Sequence, residues 1–463
     1  MANTATTTGE RRPRYGDLLR TPGAWRFVLP GFLARQPIAM LGIGTVLLVE
    51  HSTGSYGAAG LVTAASGVAM ALLSPQGGKL TDRFGQGAVL VPAVFLHTLA
   101  ISLLIVLALR EAPLWTLFAA AVPAGASTPP ISPMVRARWS ACLEKNSPLM
   151  TTAAAFESVT DEFTFVVGPV LATALCTGVH PAAGLIAEVA LIIGGGLLFA
   201  AQRGTEPPAR KRGAGAGSGA DGDAAVRTDT GARTDEGRRG RGRARASGTG
   251  RSAQSALSVP GVRVLIPALL GIGAVFGGMQ VSVAAFTQSV GEPELNGVLY
   301  GVFAAGNTMA ALAVGAIRWK RNPHTRLLIA YPMLVLATLT LAVTAQLAPW
   351  LTLLGMLGLL AGLCVAPSMI TSFTLVELLV PSAVRTEAFT WLTGAVALGQ
   401  AAGSMTAGQL TDAFGAGTGF LAPLAGTGLA LAALVTFRRW LSDRSGGGHS
   451  PRGVGHGAPV AVD

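Results

Sequence analysis

Three carboxylates, Glu157, Asp161 and Glu162, interrupt an apolar stretch at residues 149–176 that is long enough to span a bilayer. A carboxylate near the middle of a spanning helix costs roughly 2.5 to 3.5 kcal/mol, so each acid needs a cavity, a partner or a proton. Glu157 and Asp161 are four residues apart and Gly168 lies seven beyond, so these three share one helical face. Glu162 is rotated from that face by about 100°. Two interpretations stay open: the acids satisfy an arginine at a protein-facing seam, or they handle a proton or a solute inside the membrane.

Three further ionisable groups lie within apolar stretches. Arg35 is placed about one third of the way along residues 27–50, where it either extends to the cytoplasmic headgroups or neutralises a carboxylate of residues 149–176. His97 is expected to be structural, with proton relay as the alternative. Glu188 lies closer to the outer surface, where we expect a solvated or hydrogen-bonded carboxyl group.

The elements that must position these residues are predicted to be membrane-spanning helices. Of the 463 residues, 50% are hydrophobic and only 12% are charged, which is too apolar for a soluble protein of several domains. Spanning segments must be helical, because unpaired backbone groups are too costly in lipid. We therefore expect an all-α integral membrane protein with six spans on each side of a polar stretch. The segments are residues 27–50, 57–77, 87–109, 113–134, 149–176, 182–202, 262–290, 296–317, 327–347, 350–374, 386–410 and 418–437.

These segments divide the chain into five predicted regions. The polar stretch is rich in Gly, Ala and Arg and cannot bury a core, so we expect a disordered cytoplasmic linker there. The regions are an N-terminal tail at 1–25, a six-helix bundle at 26–202, the linker at 203–258, a second six-helix bundle at 259–437 and a C-terminal tail at 438–463.

The basic charge predicts how the chain lies in the membrane. The formal net charge is +11, and among the 34 Lys and Arg residues only Arg110 falls in a loop on the side opposite the N-terminus, while Arg35 lies inside a span. By the positive-inside rule, both termini and the linker are cytoplasmic in a multi-pass protein of the cell membrane. The basic segments are therefore expected to meet anionic lipid headgroups rather than nucleic acid.

Several functional classes are disfavoured by motifs that the sequence does not contain. Cys142, Cys176 and Cys364 are too widely spaced for a disulfide framework or a metal site. No phosphate-binding Gly-x4-Gly-Lys-Ser/Thr loop is present, which argues against an ATP-driven pump. The first residues have no short apolar core before a cleavage site, so we expect no signal peptide. We expect a protein that is not an enzyme and that needs no cofactor or metal.

Residues 77–86 are predicted to form a tight cytoplasmic turn. Within it, Gly78, Asp82, Arg83 and Gly85 are spaced as Gly-x3-Asp-Arg-x-Gly. In a chain of six plus six spans, this pattern resembles the loop between helices two and three of the major facilitator superfamily. The resemblance implies two six-helix bundles around a central cavity, and it gives Asp82 and Arg83 the role of a latch between the cytoplasmic ends of the bundles in the outward-open state.

The fourth and tenth segments share a helix-breaking pattern, Gly-x4-Pro, with Gly125 and Pro130 in one and Gly362 and Pro367 in the other. A break inside a membrane is tolerated only against protein or water, so we expect both segments to be unwound or bent beside a cavity. A Gly-Pro pair in the fifth segment resembles a degraded antiporter signature of the same family, which favours export. The remaining cavity candidates are Pro129, Gly168, Pro169, Gln280 and Asn307.

The two halves repeat each other weakly. The pattern Glu-x3-Pro occurs at Glu144 and again at Glu377, an offset of 233 residues. At the same offset from Asp161 and Glu162 the second half has glycine and alanine, so only the first half carries these acids. Their absence from the second half favours a functional interpretation. Residues 408–415 repeat the latch pattern without its arginine, on the opposite side of the predicted membrane.

The function expected from these features is secondary transport by alternating access, driven by protons. Protonation of Asp161 or Glu157 would offset the cost of a buried charge, release Arg35 and shift the equilibrium between access states. The expected partners are protons, membrane lipid and a small, largely apolar organic molecule that a monomer exports. Uptake of a nutrient is the alternative within this class. An alternative of another class is a membrane sensor or scaffold that transports nothing.

Overall fold

A computed structural model of the chain describes residues 15–144, 147, 149–207, 256–316, 322–347, 350–381 and 385–441. The described residues form α-helices and short 3-10 turns, with no β-strand among them. The fourteen α-helices are α1 (Tyr15–Leu19), α2 (Ala24–Thr53), α3 (Tyr56–Phe84), α4 (Gln86–Leu109), α5 (Leu114–Ala126), α6 (Ile131–Cys142), α7 (Leu149–Gly178), α8 (Ala183–Ala201), α9 (Pro260–Val290), α10 (Leu295–Ala316), α11 (Pro323–Leu347), α12 (Leu351–Leu379), α13 (Arg385–Phe414) and α14 (Leu421–Thr436).

Ten of the helical segments in the described part of the chain are long and apolar enough to cross a membrane. The two predicted spans outside this set are the pair α5–α6, which is broken in the middle, and α13, which is long enough but richer in polar residues. Together the helices account for all twelve predicted spans. The chain is an all-α integral membrane protein, as the sequence predicted.

The helices group into two compact units. One unit comprises residues 1–54 and 65–255, and the other comprises residues 55–64 and 256–463. The boundary crosses α3, whose first turns belong with α9 to α14. Each unit has its own buried core, with aromatic residues at its centre. These residues include Phe27, Trp139 and Phe199 in the first unit and Phe303, Tyr331 and Phe420 in the second.

The predicted fourth span is broken between α5 and α6. Two successive prolines, Pro129 and Pro130, remove two backbone donors, so the helical hydrogen bonds cannot continue. The hydroxyl groups of Ser127 and Thr128 donate to carbonyl groups of the preceding turn, including that of Ala124. These bonds add side-chain donors to the last carbonyl groups of α5, directly before the break.

The tenth span differs from the expectation of an unwound segment. It corresponds to α12, which is helical throughout and includes both Gly362 and Pro367. A single proline removes one donor, and the nearby Ser368 hydroxyl donates to the carbonyl of Cys364. A Cβ on Gly362 would overlap the carbonyl oxygen of Phe303, so this glycine serves close packing of α12 on α10 rather than unwinding.

Arg138 is a fully buried base that links the end of α6 to the end of α8. Its guanidinium group donates to the Gln86 side chain at 2.8 Å and to the carbonyl groups of Phe199 and Gln202, both at 3.0 Å. It also lies over the Phe199 ring, 3.7 Å from the centroid. The last carbonyl groups of a helix have no partner within the helix and favour a cation, which explains why this arginine is buried.

Candidate functional site

Helices α2 and α7 bring Arg35 against two of the predicted acids. Arg35 donates to Glu157, with both side chains almost fully buried, and its second terminal nitrogen lies 3.3 Å from Asp161. The four-residue spacing of the acids places both on the face of α7 that meets α2. Gly168 continues this face, because a Cβ there would lie only 2.6 Å from the Ala39 Cβ and would hold the helices apart.

Glu157 has a second donor that the sequence analysis did not include. The Trp139 indole NH donates to its other carboxylate oxygen at 2.6 Å. Trp139 is itself 1% exposed and packs edge-on against Phe27, with 4.8 Å between ring centroids. Both oxygens of the buried carboxylate therefore accept hydrogen bonds, which is the condition for a buried ion pair to be tolerated.

Asp161 is the more accessible acid of the pair, with its side chain 25% exposed. It accepts hydrogen bonds from the Ser132 hydroxyl at 2.7 Å and from Arg136 at 2.8 Å. This carboxylate is thus shared between the buried Arg35 and the more exposed Arg136. We call Arg35, Arg136, Glu157 and Asp161 the ion-pair site.

The part of the site on α6 has a recognisable sequence signal. Ser132, Arg136 and Trp139 are spaced as i, i+4 and i+7, which places them on one helical face. This shared face could be predicted from the sequence. Its contact with Glu157 and Asp161 could not, because a helix break precedes α6 and 18 or more residues separate the face from the acids. Glu162, the third predicted acid, is half-buried on a different face of α7.

Gln36 extends the contact between α2 and α7. Its amide nitrogen donates to the Thr164 hydroxyl and to the carbonyl of Phe32, both at 3.3 Å, while its amide oxygen is buried without a hydrogen-bond partner in the described part of the chain. An unpaired acceptor beside the ion-pair site is a polar position that a solute or water could occupy.

A second buried pair lies away from the ion-pair site. His97 on α4 and Glu188 on α8 are both 0% exposed, and Nε2 of His97 lies 2.9 Å from a carboxyl oxygen of Glu188. Glu188 is therefore hydrogen-bonded, but it is not solvated near the outer surface. The reason is that Glu188 faces α4 in the interior of the unit. Its position along the sequence indicated its depth in the membrane but not the helix that it faces.

The predicted cytoplasmic turn is mostly helical. Gly78 and Arg83 lie in the last turns of α3, and only Gly85, with φ 94°, separates α3 from α4. A single glycine with positive φ is enough to reverse the chain, so no longer turn is needed. Arg83 is exposed and lies over the Phe84 ring at 5.0 Å from the centroid. The side chain of Asp82 lies outside the described part of the structure.

The repeated latch pattern at residues 408–415, which ends α13, has hydrogen-bond partners within its unit. The Asp412 carboxylate accepts hydrogen bonds from the backbone NH groups of Tyr56 and Gly57 at 2.9 and 2.8 Å, and from the Ser55 hydroxyl at 2.6 Å. The two backbone NH groups lie in the first turn of α3, where NH groups have no partner within the helix and a negative charge is favoured. A Cβ on Gly408 would overlap the Tyr56 carbonyl, so this glycine permits the close approach.

The remaining cavity candidates are buried in different places. A Cβ on Gly125 would overlap the carbonyl of Ser66, so α5 packs tightly on α3 there. Pro169 lies inside the continuous helix α7. Gln280 on α9 and Asn307 on α10 belong to the second unit, and both are largely buried. Within the first unit, Gly125 thus packs against α3 rather than against the ion-pair site.

Comparisons with known proteins assign the fold. The profile of the Major Facilitator Superfamily matches residues 31–390. The POT family transporter PepTSo superposes with a TM-score of 0.65 at 12% identity, covering 91% of this chain and 97% of that chain. The nucleoside transporter NupG gives 0.62 at 12% identity, covering 91% and 99%. A D-xylose-proton symporter gives 0.61 at 14% identity, covering 89% and 98%.

Identities this low establish the fold and not the substrate, and the comparison with curated proteins found no match. The family profile, however, covers well over half of the chain. The protein therefore belongs to the Major Facilitator Superfamily and is a multi-pass membrane transporter rather than an enzyme.

Proposed function

We propose that the protein is a proton-coupled exporter of a small organic molecule, and that the ion-pair site couples the proton to transport. The observation that carries this proposal is the position of Asp161. It is a carboxylate within a spanning helix that contacts a buried arginine on one side and a more exposed arginine on the other, and its own side chain is 25% exposed rather than fully buried. Ionisable groups inside a membrane span are most often functional.

The proposed step is the protonation of Asp161. A neutral carboxyl group no longer attracts Arg136 and Arg35 with its charge, so Arg136 is released and Arg35 is left with Glu157 alone. Glu157 keeps its bonds to Arg35 and Trp139, so the buried charge of Arg35 stays neutralised throughout. A change in the contacts of α2, α6 and α7 would bias the equilibrium between access states, because a proton shifts that equilibrium by its difference in affinity for the two states.

The export direction and the substrate class rest on sequence features. The Gly168–Pro169 pair resembles a degraded antiporter signature. The buried polar groups include the amides of Gln36 and Gln280 and hydroxyl groups such as that of Thr164, with few fixed charges. Such an interior suits a small, largely apolar molecule with a few hydrogen-bonding groups. The structural neighbours include a nucleoside transporter and a D-xylose-proton symporter, which are also carriers of small solutes.

The arrangement around the site completes the proposal. The two bundles are residues 26–202 and 259–437, and both termini are cytoplasmic. The working unit is a monomer in the cell membrane. Asp82 and Arg83 form the cytoplasmic latch. The linker at residues 203–258 joins the bundles against anionic lipid; most of it, residues 208–255, lies outside the described part of the chain. These assignments are supported by the distribution of basic residues and by the family pattern.

The test is coupled flux in proteoliposomes. The purified protein is reconstituted with an internal pH indicator, and a panel of small apolar fluorescent compounds is applied to vesicles with each protein orientation. Export coupled to protons predicts compound-dependent proton movement in the opposite direction. Asp161→Asn should abolish it, whereas Ser158→Ala, an exposed position on the same helix, should leave it unchanged.

Two results would contradict the proposal. If protons and compound move in the same direction, the protein is an uptake carrier. If Asp161→Asn retains full coupling while the protein transports, the ion-pair site is not the coupling site.

A further inference from the structure

The pair formed by His97 and Glu188 is not used by the proposed transport step. The two residues lie on α4 and α8, both are fully buried, and the bond between His97 Nε2 and Glu188 Oε1 is 2.9 Å long. The other carboxyl oxygen of Glu188 has no hydrogen-bond partner in the described part of the chain. Two ionisable side chains buried in a membrane span need an explanation of where their proton resides.

The first nitrogen of the imidazole ring can be assigned from its partner. His97 Nδ1 lies 2.8 Å from the carbonyl oxygen of Ala124, and a carbonyl can only accept. Nδ1 therefore carries a hydrogen. Nε2 then either accepts a hydrogen bond from a neutral carboxyl group or, as part of an imidazolium ion, donates to a carboxylate.

The surroundings favour the neutral form. An ionised carboxylate in this position would have one oxygen without a protein donor in the described part of the chain, in a site that is 0% exposed, and such a charge is costly even when paired. A protonated carboxyl group leaves only a neutral carbonyl unpaired, at a cost of about 1 to 3 kcal/mol. The neutral pair avoids the separation of two charges in a medium of low polarity.

In the described part of the chain, the helices that pack against the pair carry few other ionisable residues. Helices α2, α5 and α8 pack against α4, and α2, α4 and α7 pack against α8. His97 is the only ionisable residue of α4, α5 has none, and Glu188 is the only one of α8. On α2 and α7 the ionisable residues are Arg35, Glu157 and Asp161 of the ion-pair site, groups near the ends of α2, and Glu162 and Cys176 of α7. The residues near the ends of α2 are Arg26, Glu50 and His51.

We propose that His97 and Glu188 form a second proton-holding site in the first unit, in which a protonated Glu188 donates to Nε2 of His97. The carbonyl held by the same imidazole is two residues before the end of α5. The NH of Thr128, which would be the partner of this carbonyl in a continuous helix, instead donates to the carbonyl of Gly125 at 3.3 Å. The proton is thus held next to the break between α5 and α6, and separate from the proton exchanged at Asp161.

The test is infrared spectroscopy of the full chain in lipid nanodiscs, in which the spectrum of the Glu188→Gln variant is subtracted from that of the parent. A protonated carboxylic acid has a carbonyl-stretching band that an ionised carboxylate lacks. We expect this band at neutral pH, above the value of about 4.3 at which an exposed glutamate loses its proton. Glu188→Gln should abolish it, and the glutamine amide can still donate to His97, so the variant should fold. Glu111→Gln, which changes an exposed acid beyond the end of α4, should leave the band unchanged.

A band that is the same in the parent and in folded Glu188→Gln would show that Glu188 is ionised and would overturn the proposal. If that variant does not fold, nitrogen-15 NMR of labelled histidine in the parent answers the same question, with His97→Gln used to assign the signals. One protonated and one unprotonated ring nitrogen at His97 support the neutral pair. Two protonated nitrogens identify an imidazolium ion and overturn it.

Discussion

Arg35 is the residue on which the ion-pair site depends, because it is 3% exposed and faces two carboxylates. A buried arginine that keeps Glu157 is neutralised even when Asp161 takes up a proton. The two acids therefore have different tasks in the proposed step. Glu157 is held by Arg35 and Trp139 inside the unit, and Asp161 is the more exposed acid of the two.

Our first prediction concerns this pair. Arg35→Ala should leave Glu157 as an uncompensated buried charge and cost about 3 to 5 kcal/mol, whereas Glu157→Gln alone should cost less, because Arg35 keeps Asp161 at 3.3 Å. The double variant should cost clearly less than the sum, because neither charge remains. The measurement is the amount of folded protein and its apparent Tm in detergent for the four members of the cycle.

The matched control is Arg136→Ala. Its side chain is 42% exposed, so the loss of its ion pair with Asp161 should cost no more than about 1 kcal/mol. Additive effects of Arg35→Ala and Glu157→Gln would mean that the two residues do not interact energetically, and Arg35 would then be better explained as reaching the headgroups.

At the scale of the elements, tight helix packing depends on glycines at particular positions. A Cβ on Gly125 would overlap the Ser66 carbonyl, whereas a Cβ on Gly194 of α8 would meet nothing within 4 Å. Gly125→Ala should therefore force α5 away from α3 and lower the apparent Tm, at a cost typical of overpacking, about 1 to 3 kcal/mol. Gly194→Ala should leave the Tm unchanged or raise it, since alanine favours the helix. Equal Tm values for both variants would contradict this account.

The start of α3 gives the second prediction at this scale. Asp412 accepts from two backbone NH groups of α3, so Asp412→Ala should remove a contact worth about 0.5 to 2 kcal/mol, the range for helix-capping groups. Amide hydrogen exchange at Tyr56 and Gly57 should become faster. In Asp412→Asn one acceptor oxygen remains, so its effect should be intermediate. Unchanged exchange at both amides in Asp412→Ala would show that the contact is not formed in the membrane.

At the scale of the whole molecule, the distribution of basic residues predicts which loops face the cytoplasm. In a Cys142→Ser background, a thiol introduced by Glu111→Cys should react with a membrane-impermeant reagent in intact cells. A thiol introduced by Ser140→Cys should react only after permeabilisation, because the positive-inside rule predicts that the end of α6 lies on the cytoplasmic side. Cys176 and Cys364 are buried and should contribute little background. The reverse labelling pattern would show that the chain is inserted in the opposite orientation.

The sequence alone determined the membrane class, the helical spans and the family resemblance. Apolar runs of about 20 residues require helices in lipid, whatever the packing between them. It also determined that Glu157, Asp161 and Gly168 share one face, because helical periodicity is a local property of the chain. The sequence pattern did not determine which spans are broken. Gly-x4-Pro interrupts the fourth span, where two prolines occur together, but not the tenth, where a single proline is accommodated.

Only the tertiary structure decided which faces meet. Trp139 and Glu157 are 18 residues apart, His97 and Glu188 are 91 apart, and Tyr56 and Asp412 are 356 apart. Local periodicity fixes the direction of a side chain around its own helix but not the neighbouring helix or the depth at which two helices touch. Those depend on close packing at positions such as Gly125 and Gly408, where the absence of a side chain lets two backbones approach.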